Sequence, residues 1–444
     1  MSESRVLRPG VSRRELLAWA LYDFANSGYT TVVLTAVYSA YFVGVMAGNA
    51  AWASLAWSSA LALSSLLVMI SMPALGVWAD HHGRRRRLLR WSTAGCVAAT
   101  AGLAAVGPDM LPLAVVLIVV SSYFFSIGEA AIAAYLPEIA RPEALGRVSG
   151  WGWGLGYFGG MLTLGLSLAW VLGASERGQT TTEAVPWTML LTALIFALAA
   201  LPSLLMLREA SPTPARPLDD RAQQPRLGLS LGILRNTWAE ASKQIDLKNM
   251  MILGALYQAG ISVVVALAAV YAQQAMGFTE VETMILIFAV NIAAAAGALG
   301  FGHAQDRVGH RFALAVTLLA WIGVTWIAGF GQSVTGFWIA ATLAGLAMGS
   351  SQSAGRAMLG RMAPQARLTE YYGLWAFAGR VAAIIGPITY GLVTWLSGGQ
   401  HRLAILVTGL FFVAALWVLR RIDLERGIEA AADQRSPSDS DSAI

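Results

Sequence analysis

Two acidic residues stand out because each lies inside a long apolar run. Asp23 lies in the run 16–44, and Glu129 lies in the run 112–136. A carboxylate at the centre of a membrane helix costs about 2.5–3.5 kcal/mol, so such a residue usually faces a cavity or a charged partner. Each acid is about seven residues from one end of its run, which is roughly 10 Å along a helix. We therefore expect both acids to belong to a polar site within the membrane.

Polar residues accompany these acids at helical spacing. Asp23, Asn26 and Thr30 are separated by three and four residues, so they share one helix face. Two serines precede Glu129 on a face of the same kind. The two faces predict a site for a polar substrate and a proton, with Glu129 or Asp23 as the proton acceptor. The alternative is that Asp23 pairs with a distant arginine, Arg380, only to hold helices together.

The chain as a whole has the composition of a membrane protein. Of its 444 residues, 57% are hydrophobic and 12% are charged, whereas soluble domains carry about 25% charged residues. The apolar residues form twelve runs, each long enough to cross a ~30 Å hydrocarbon layer as a helix. The runs lie at about 16–44, 53–79, 88–107, 112–136, 148–173, 186–207, 247–275, 281–302, 311–331, 335–358, 368–397 and 402–421. This pattern excludes a soluble enzyme, and the single cysteine, Cys96, excludes a disulfide framework.

The basic residues predict the orientation of the twelve spans. Of the 30 lysines and arginines, all but three fall on one side of the predicted membrane. Arg177 and Arg402 fall on the other side, and Arg380 lies inside span eleven. Because cytoplasmic loops carry the excess of Lys and Arg, we expect both termini and the central linker to be cytoplasmic. We expect the protein in the cell (inner) membrane.

The two halves of the sequence resemble each other. Similar loops follow spans two and eight, and their shared residues are Gly76, Asp80, Gly83 and Arg84 in the first copy and Gly302, Asp306, Gly309 and Arg311 in the second. The letters ALYD in span one match ALYQ in span seven. Because six spans separate the copies, the halves are parallel repeats. We predict six-helix halves at 1–207 and 247–421, a cytoplasmic linker at 208–246 and a disordered tail at 422–444.

The repeat relates the two acids to amides. Asp23 corresponds to Gln258, and a constant offset of 223 residues makes Glu129 correspond to Gln352. The second half instead has Arg380, which we expect to face an acid or an anionic group of the substrate. This asymmetry predicts that the first half carries the protonatable site.

Span five carries a glycine repeat. Gly152, Gly156 and Gly160 recur every four residues, which predicts a close-packing helix face. The letters GLGYFG also match a dinucleotide-binding pattern, but no strand precedes them and no acid follows at the required distance. The close-packing interpretation is therefore the one we keep.

Three stretches carry a resemblance to known transporters. The loop GVWADHHGRRRR resembles the signature between helices two and three of the major facilitator superfamily. WALYDFANSGYTT and YLPEIARPEALGRVSGWGWGLGYFGG resemble the vacuole-effluxer-like subgroup, which is related to a fungal vacuolar amino-acid exporter. The resemblance implies an all-α membrane fold of twelve transmembrane helices, built as two parallel six-helix repeats. It also implies that the two Asp-Gly-Arg loops brace the halves on the cytoplasmic side.

The charges of these loops suggest how such bracing would work. Asp80 and Asp306 could pair with loop arginines or cap helix N-termini, which would bias which face of the protein is closed. Glu138 and Arg141, at the cytoplasmic end of span four, are expected to join this charged network. The alternative is that the loop arginines serve only as a topology signal.

We therefore expect a secondary active transporter that works by alternating access and is coupled to protons. The expected partners are the lipid bilayer and a small polar substrate, with an amino acid favoured by the resemblance. The protein is expected to be a monomer without cofactor, metal, nucleic acid or enzymatic activity. ATP is not expected either, since the sequence has no nucleotide-binding loop. The alternative is a membrane sensor or scaffold that transports nothing and acts through its cytoplasmic linker.

Overall fold

The fold is almost entirely helical. The computed structural model describes residues 6–48, 53–208, 235, 238–278 and 280–433. The first six long helices are α1 (Arg13–Tyr29), α2 (Ala53–His81), α3 (Arg85–Gly102), α4 (Leu111–Ala133), α5 (Leu145–Glu176) and α6 (Thr181–Met206). The next six are α7 (Ile245–Met276), α8 (Glu280–Val308), α9 (His310–Phe330), α10 (Val334–Met362), α11 (Leu368–Leu396) and α12 (His401–Leu419). A shorter helix, α13 (Leu424–Asp433), follows them.

Eleven stretches of the described chain are long and apolar enough to cross a membrane. The helix α3 is not among them because arginines, including Arg85, Arg86 and Arg90, occupy its first turns. Its 18 residues span about 27 Å, which is close to the ~30 Å hydrocarbon layer. It also packs against α4 and α6, as α9 packs against α10 and α12. The chain is therefore a multi-pass membrane protein in which α3 takes the place of the remaining span.

The same helix pairs pack together in both halves. In each half the first helix packs on the sixth, and the second packs on the fourth. The third helix packs on both the fourth and the sixth in each half. This correspondence confirms the predicted architecture of two six-helix repeats.

Two compact units divide the chain at positions other than the predicted halves. One unit comprises the described parts of 10–135 and 155–230, and the other comprises the described parts of 1–9, 136–154 and 231–444. The segment 136–154 belongs to the first half by sequence, yet it packs with helices of the second. The predicted linker, 208–246, is described only at 208, 235 and 238–246.

The helix α1 continues beyond Tyr29 in an unusual form. Thr30–Ala36 and Phe42–Met46 are wider π-helical segments on either side of a short α-helical turn, Tyr38–Tyr41. Such segments are rare and are often found at functional sites. The first of them begins within the predicted polar face, at Thr30.

The chain after α12 is partly ordered, contrary to the predicted disordered tail. α13 forms at Leu424–Asp433, whereas 434–444 lie outside the described residues. Gly427 and Ala431, one helical turn apart, are both buried. The side chain of Asp246 in α7 accepts hydrogen bonds from the Asp423 backbone N–H (2.8 Å) and from Nε and Nη2 of Arg426 (2.6 and 2.9 Å). The polar composition of the tail predicted disorder, although part of it forms this short amphipathic helix.

Replacing Asp246 by Ala is expected to detach α13 from α7. The change removes the acceptor for three hydrogen bonds, and since Arg426 is 56% exposed the expected loss is about 1–2 kcal/mol of docking free energy. Hydrogen exchange of the amides in 424–433 should accelerate roughly ten-fold or more. The matched control is Glu425→Ala, since Glu425 is an exposed acid of α13 itself. Equal exchange in the two variants would show that the Asp246 contacts do not hold the helix.

Candidate functional site

Three aromatic side chains fix the position of α1 against α3 and α4. The Trp19 indole N–H donates to the Ile132 carbonyl (2.9 Å), and Tyr22 is hydrogen-bonded to Thr93 (2.8 Å). The Tyr29 hydroxyl is likewise hydrogen-bonded to a serine of α4 (2.8 Å), and its ring stacks on a phenylalanine of that helix. Because all three rings are buried and their polar atoms are paired, they set the rotation of α1.

Asp23 and Asn26 lie buried on α1 between these anchors. Asp23 is 8% exposed and Asn26 is 6% exposed. The Asn26 side-chain oxygen has no hydrogen-bond partner among the described residues. Thr30 is half-buried, and its hydroxyl donates to the Asn26 backbone carbonyl (3.0 Å). A buried acceptor left without a donor costs about 1–3 kcal/mol, so this oxygen is suited to a donor that a substrate or water brings.

Glu129 lies on α4, next to the contact between α4 and Tyr22 of α1. It is half-buried. Its neighbour Gly128 makes room for the Tyr22 hydroxyl, which would lie 2.4 Å from a Cβ atom at that position. The preceding turn of α4 contains Ser126, whose hydroxyl donates to the Ser122 carbonyl (2.8 Å). The compact unit formed by 10–135 and 155–230 contains four of the predicted site residues, Asp23, Asn26, Thr30 and Glu129.

The predicted glycine face of α5 packs against α1. A Cβ atom on Gly156 would lie 3.2 Å from the Asp23 carbonyl oxygen, and one on Gly159 would lie 2.3 Å from the Phe24 carbonyl oxygen. Gly160 faces the hydroxyl of Thr31 in the same way. The close approach confirms the close-packing interpretation at Gly156 and Gly160. It brings the backbone of α5 against the segment of α1 that carries Asp23.

In the other unit, Gln258 of α7 and Gln352 of α10 bind each other. Nε2 of Gln258 donates to Oε1 of Gln352 (2.8 Å), and Nε2 of Gln352 donates to Oε1 of Gln258 (3.2 Å). Both residues are half-buried. Arg380 is also half-buried, on α11. A reciprocal amide pair satisfies its own donors and acceptors without a charge, so it cannot change protonation.

The helix bounds agree with the predicted correspondence between α4 and α10. The helix α4 begins at Leu111 and α10 at Val334, and the helices that follow them begin at Leu145 and Leu368, so each pair of starts has the predicted offset of 223 residues. At this offset Glu129 corresponds to Gln352. The two helices differ at their ends, since α4 stops at Ala133 and is followed by a separate turn, whereas α10 runs on to Met362.

The first Asp-Gly-Arg loop contains a buried ion pair. The Asp80 carboxylate accepts from Nη2 of Arg85 (2.7 Å), and both side chains are buried. Arg84, which the motif singled out, is instead exposed. Gly83 has φ +61°, a left-handed conformation that turns the chain from α2 into α3. Gly76 is buried in the last turns of α2.

The second loop caps a helix. The Asp306 carboxylate accepts from the backbone N–H groups of Gly146 (2.9 Å) and Arg147 (3.0 Å), in the first turn of α5. Nearby, Gly302 of α8 crosses Gly150 of α5, where an added Cβ on Gly302 would lie 2.9 Å from the Gly150 Cα. The two copies of the loop thus use the two expected interactions, an arginine pair in one and a helix N-terminus in the other.

The remaining predicted residues of this region have separate contacts. Gly309 has φ +91° and precedes α9, and Arg311 donates to the Arg420 carbonyl (2.8 Å). Arg141 donates through Nε to the Leu7 carbonyl (2.9 Å), so it holds the N-terminal segment. Glu138 is half-buried in the short helix after α4.

A buried arginine of α10 lies within this region and was missed by the sequence analysis. Arg356 donates through Nε to the Ser149 hydroxyl (3.1 Å) and through Nη2 to the Ser149 carbonyl (2.9 Å). Its guanidinium carbon lies 5.4 Å from the ring centre of Trp153. In the sequence it falls within the predicted run 335–358, close to the end of that run. Its position six residues before the end of α10, about 9 Å inside the helix, was the signal that could have identified it.

Comparison with known proteins identifies the family. The sequence model described as "Vacuole effluxer Atg22 like" matches residues 39–432 of the chain. The chain belongs to this family. Among curated proteins it is similar to the MFS-type transporter YxiO of Bacillus subtilis, with 24% identity over 94% of this chain and 96% of that protein. The family membership confirms the resemblance expected from the three sequence stretches.

Solved structures show that the fold is that of the major facilitator superfamily. The human organic anion transporter MFSD10 has a TM-score of 0.70 at 17% identity, over 92% of this chain and 99% of its own. The proton:xylose symporter XylE has a TM-score of 0.72 at 16% identity, over 96% of this chain and 99% of its own. At these identities the similarity establishes the fold alone. The twelve helices of this Atg22-like protein therefore have the major facilitator fold.

Proposed function

We propose that this protein is a proton-coupled secondary active transporter of a small polar solute, with an amino acid as the favoured substrate. The observation that carries the proposal is the polar face of α1, where the buried Asp23 lies one turn from the unpartnered Asn26 oxygen. A buried acid and a buried open acceptor have little structural value within a membrane and suit a site that binds protons and donor groups. They occur here in a member of a transporter family.

The difference between the two halves supports coupling to protons. Asp23 has a carboxyl group, whereas its counterpart Gln258 is an amide that binds Gln352. Burial favours the neutral form of a carboxyl group, while a facing guanidinium favours the charged form. In the proposal Asp23 or Glu129 accepts the proton, and Arg380 supplies the facing charge to that acid or to an anionic group of the substrate. The protonation state of this acid then depends on which side of the membrane the cavity faces.

In this proposal the contacts of the two Asp-Gly-Arg loops close the cytoplasmic face during alternating access. In this proposal the Asp80–Arg85 pair stiffens the turn between α2 and α3, and Asp306 holds the first turn of α5 near α8. Release of the Asp306 contacts would let the first turn of α5 leave α8, so the cytoplasmic face could open. Glu138, Arg141 and Arg311 lie in adjoining segments and belong to the same proposed device.

The proposed location is the cell (inner) membrane, with both termini in the cytoplasm. This orientation rests on the distribution of lysine and arginine among the loops. It puts the Asp80 and Asp306 loops on the cytoplasmic side.

A substrate screen on the purified full-length protein tests the function. Thermal unfolding would be measured with amino acids, peptides and sugars at several pH values, and each stabilising compound would then be tested for counterflow in proteoliposomes. We expect at least one polar solute, an amino acid first, to raise the melting temperature and to show counterflow. A protein that binds no such solute and shows no counterflow, but captures a soluble partner through 208–246, would overturn the proposal in favour of a sensor or scaffold.

A further inference from the structure

An apolar groove runs between α7 and α11, and the proposed transport residues of these helices, Gln258 and Arg380, are not among its lining residues. Its volume is about 540 Å³, within the range of pockets that hold small molecules. Small side chains at helical spacing leave the space open: Ala255 and Ala259 on α7, and Ala378 and Ala382 on α11. Ile385 forms part of the wall and is 47% exposed, so the groove is open along α11.

The groove has a defined back and a defined inner end. At the back, Gly254 of α7 lies against the Trp375 ring, which is 2.4 Å from where a Cβ atom would be. At the inner end, a Cβ atom on Gly386 would lie 2.2 Å from the Ala259 carbonyl oxygen, so the two helix backbones meet there. The lining residues of α11 extend from Leu374 to Ile385, or about 9 to 25 Å from the start of that helix. Most of this stretch lies in the first half of the helix, at the depth of the acyl chains of one leaflet.

The mouth of the groove carries a cation and an interfacial aromatic ring. Arg235 and Trp238, both from the segment before α7, line the groove together with the apolar residues of the two helices. Arg235 is exposed and has no hydrogen-bond or ion-pair partner among the described residues. Trp238 is 39% exposed, and tryptophan prefers the headgroup level of a membrane.

The acids near this mouth are already paired. Arg367, just before α11, binds both Glu240 and Glu370. Burial alone would lower the pKa of the Arg367 guanidinium, but the hydrogen bonds and charges of Glu370 and Glu240 raise it, so the cation persists. Arg367 balances the charge of only one of these two acids, but neither of these ion pairs includes Arg235.

We infer that the groove binds one anionic phospholipid of the cytoplasmic leaflet. An acyl chain fills the space between α7 and α11, and the headgroup phosphate meets Arg235. The apolar wall of the groove suits an acyl chain, and Arg235, the one cation among its described lining residues, suits a phosphate. The phospholipid links the segment before α7 to α11, which carries Arg380.

Native mass spectrometry of the delipidated full-length protein tests this site. Equal amounts of phosphatidylglycerol and phosphatidylcholine with identical acyl chains would be added, and the bound copies of each counted. We expect one phosphatidylglycerol to bind, with an affinity at least about five-fold higher than that of phosphatidylcholine. One basic residue at the membrane surface contributes about this factor in affinity. Arg235→Glu should abolish this preference. Arg87→Glu, which changes an exposed arginine of α3, should preserve it.

A second pair of variants tests the groove itself. Ala378→Leu fills the groove and should lower the occupancy of both lipids about five-fold, if it removes most of the chain contact. Ala383→Leu adds the same side chain at an exposed position of α11 and should leave occupancy unchanged. An unaltered preference in Arg235→Glu, or equal occupancy in the two alanine variants, would overturn the proposal. Equally tight binding of oleate in place of phosphatidylglycerol would overturn it too, because the groove would then be a fatty-acid site.

Discussion

One of the two variants Asp23→Asn and Glu129→Gln is expected to uncouple transport from the pH gradient. A gradient of one pH unit stores about 1.4 kcal/mol per proton, enough for about ten-fold accumulation of a substrate coupled to one proton. If either acid carries the proton, its amide variant should lose this accumulation and keep substrate counterflow, which needs no proton movement. The two variants should differ, since only the acceptor is essential. The measurement is uptake or efflux of the substrate in proteoliposomes with an imposed pH gradient.

Asp109→Asn provides the matched control for these variants. Asp109 is an exposed acid in the short turn before α4, so the same chemical change occurs away from the polar face of α1. This variant should accumulate substrate as the unaltered protein does. If Asp23→Asn and Glu129→Gln both keep full gradient-driven accumulation, neither acid carries the coupling proton and the proposed mechanism is wrong.

Gly150→Ala is expected to lower stability by disrupting the crossing of α5 and α8. The added Cβ would lie 2.3 Å from the Ala298 carbonyl oxygen and 2.9 Å from the Gly302 Cα. Both are backbone atoms, so a side-chain rotation cannot relieve the clash. Overpacking of this kind typically costs about 1–3 kcal/mol. Thermal unfolding of the purified protein in detergent would measure the change.

The same substitution at Gly165 separates the clash from helix propensity. Gly165 is also in α5, but an added Cβ there meets nothing within 4 Å. Both variants gain up to about 1 kcal/mol from the replacement of glycine within a helix. We therefore expect Gly150→Ala to be less stable than Gly165→Ala by about 1–3 kcal/mol. Equal melting temperatures would mean that α5 and α8 can separate at this crossing without cost.

The number and order of the helices followed from the chemistry of the sequence. Few charged residues and long apolar runs allow little except membrane helices, and the ALYD and ALYQ repeats indicated two halves. The run 88–107 predicted α3 as well, although Arg85, Arg86 and Arg90 lower the hydropathy of this helix. A membrane helix with several arginines is therefore identified better by its place in the six-helix repeat than by its mean hydropathy.

Contacts between distant segments could not be predicted in the same way. The Asp80 motif indicated a charged turn, but which arginine turns inward, Arg85 or Arg84, depends on the local helix start. The pairing of Ser149 with Arg356 joins residues more than 200 positions apart, and neither residue has a pattern that points to the other. The interruption of α4 after Ala133 has no counterpart in α10, and the sequence letters do not record it.

The continuity of α5 has a mechanical consequence for any transport cycle. This single helix of 32 residues begins in one compact unit and ends in the other, and the change falls between Gly154 and Leu155. Glycines are dense around this point, from Gly150 to Gly160. Glycine makes a helix easier to bend, so this stretch is where α5 can flex most readily. The stiffness of α5, and not only the bonds at its ends, then limits how far its two ends can move independently.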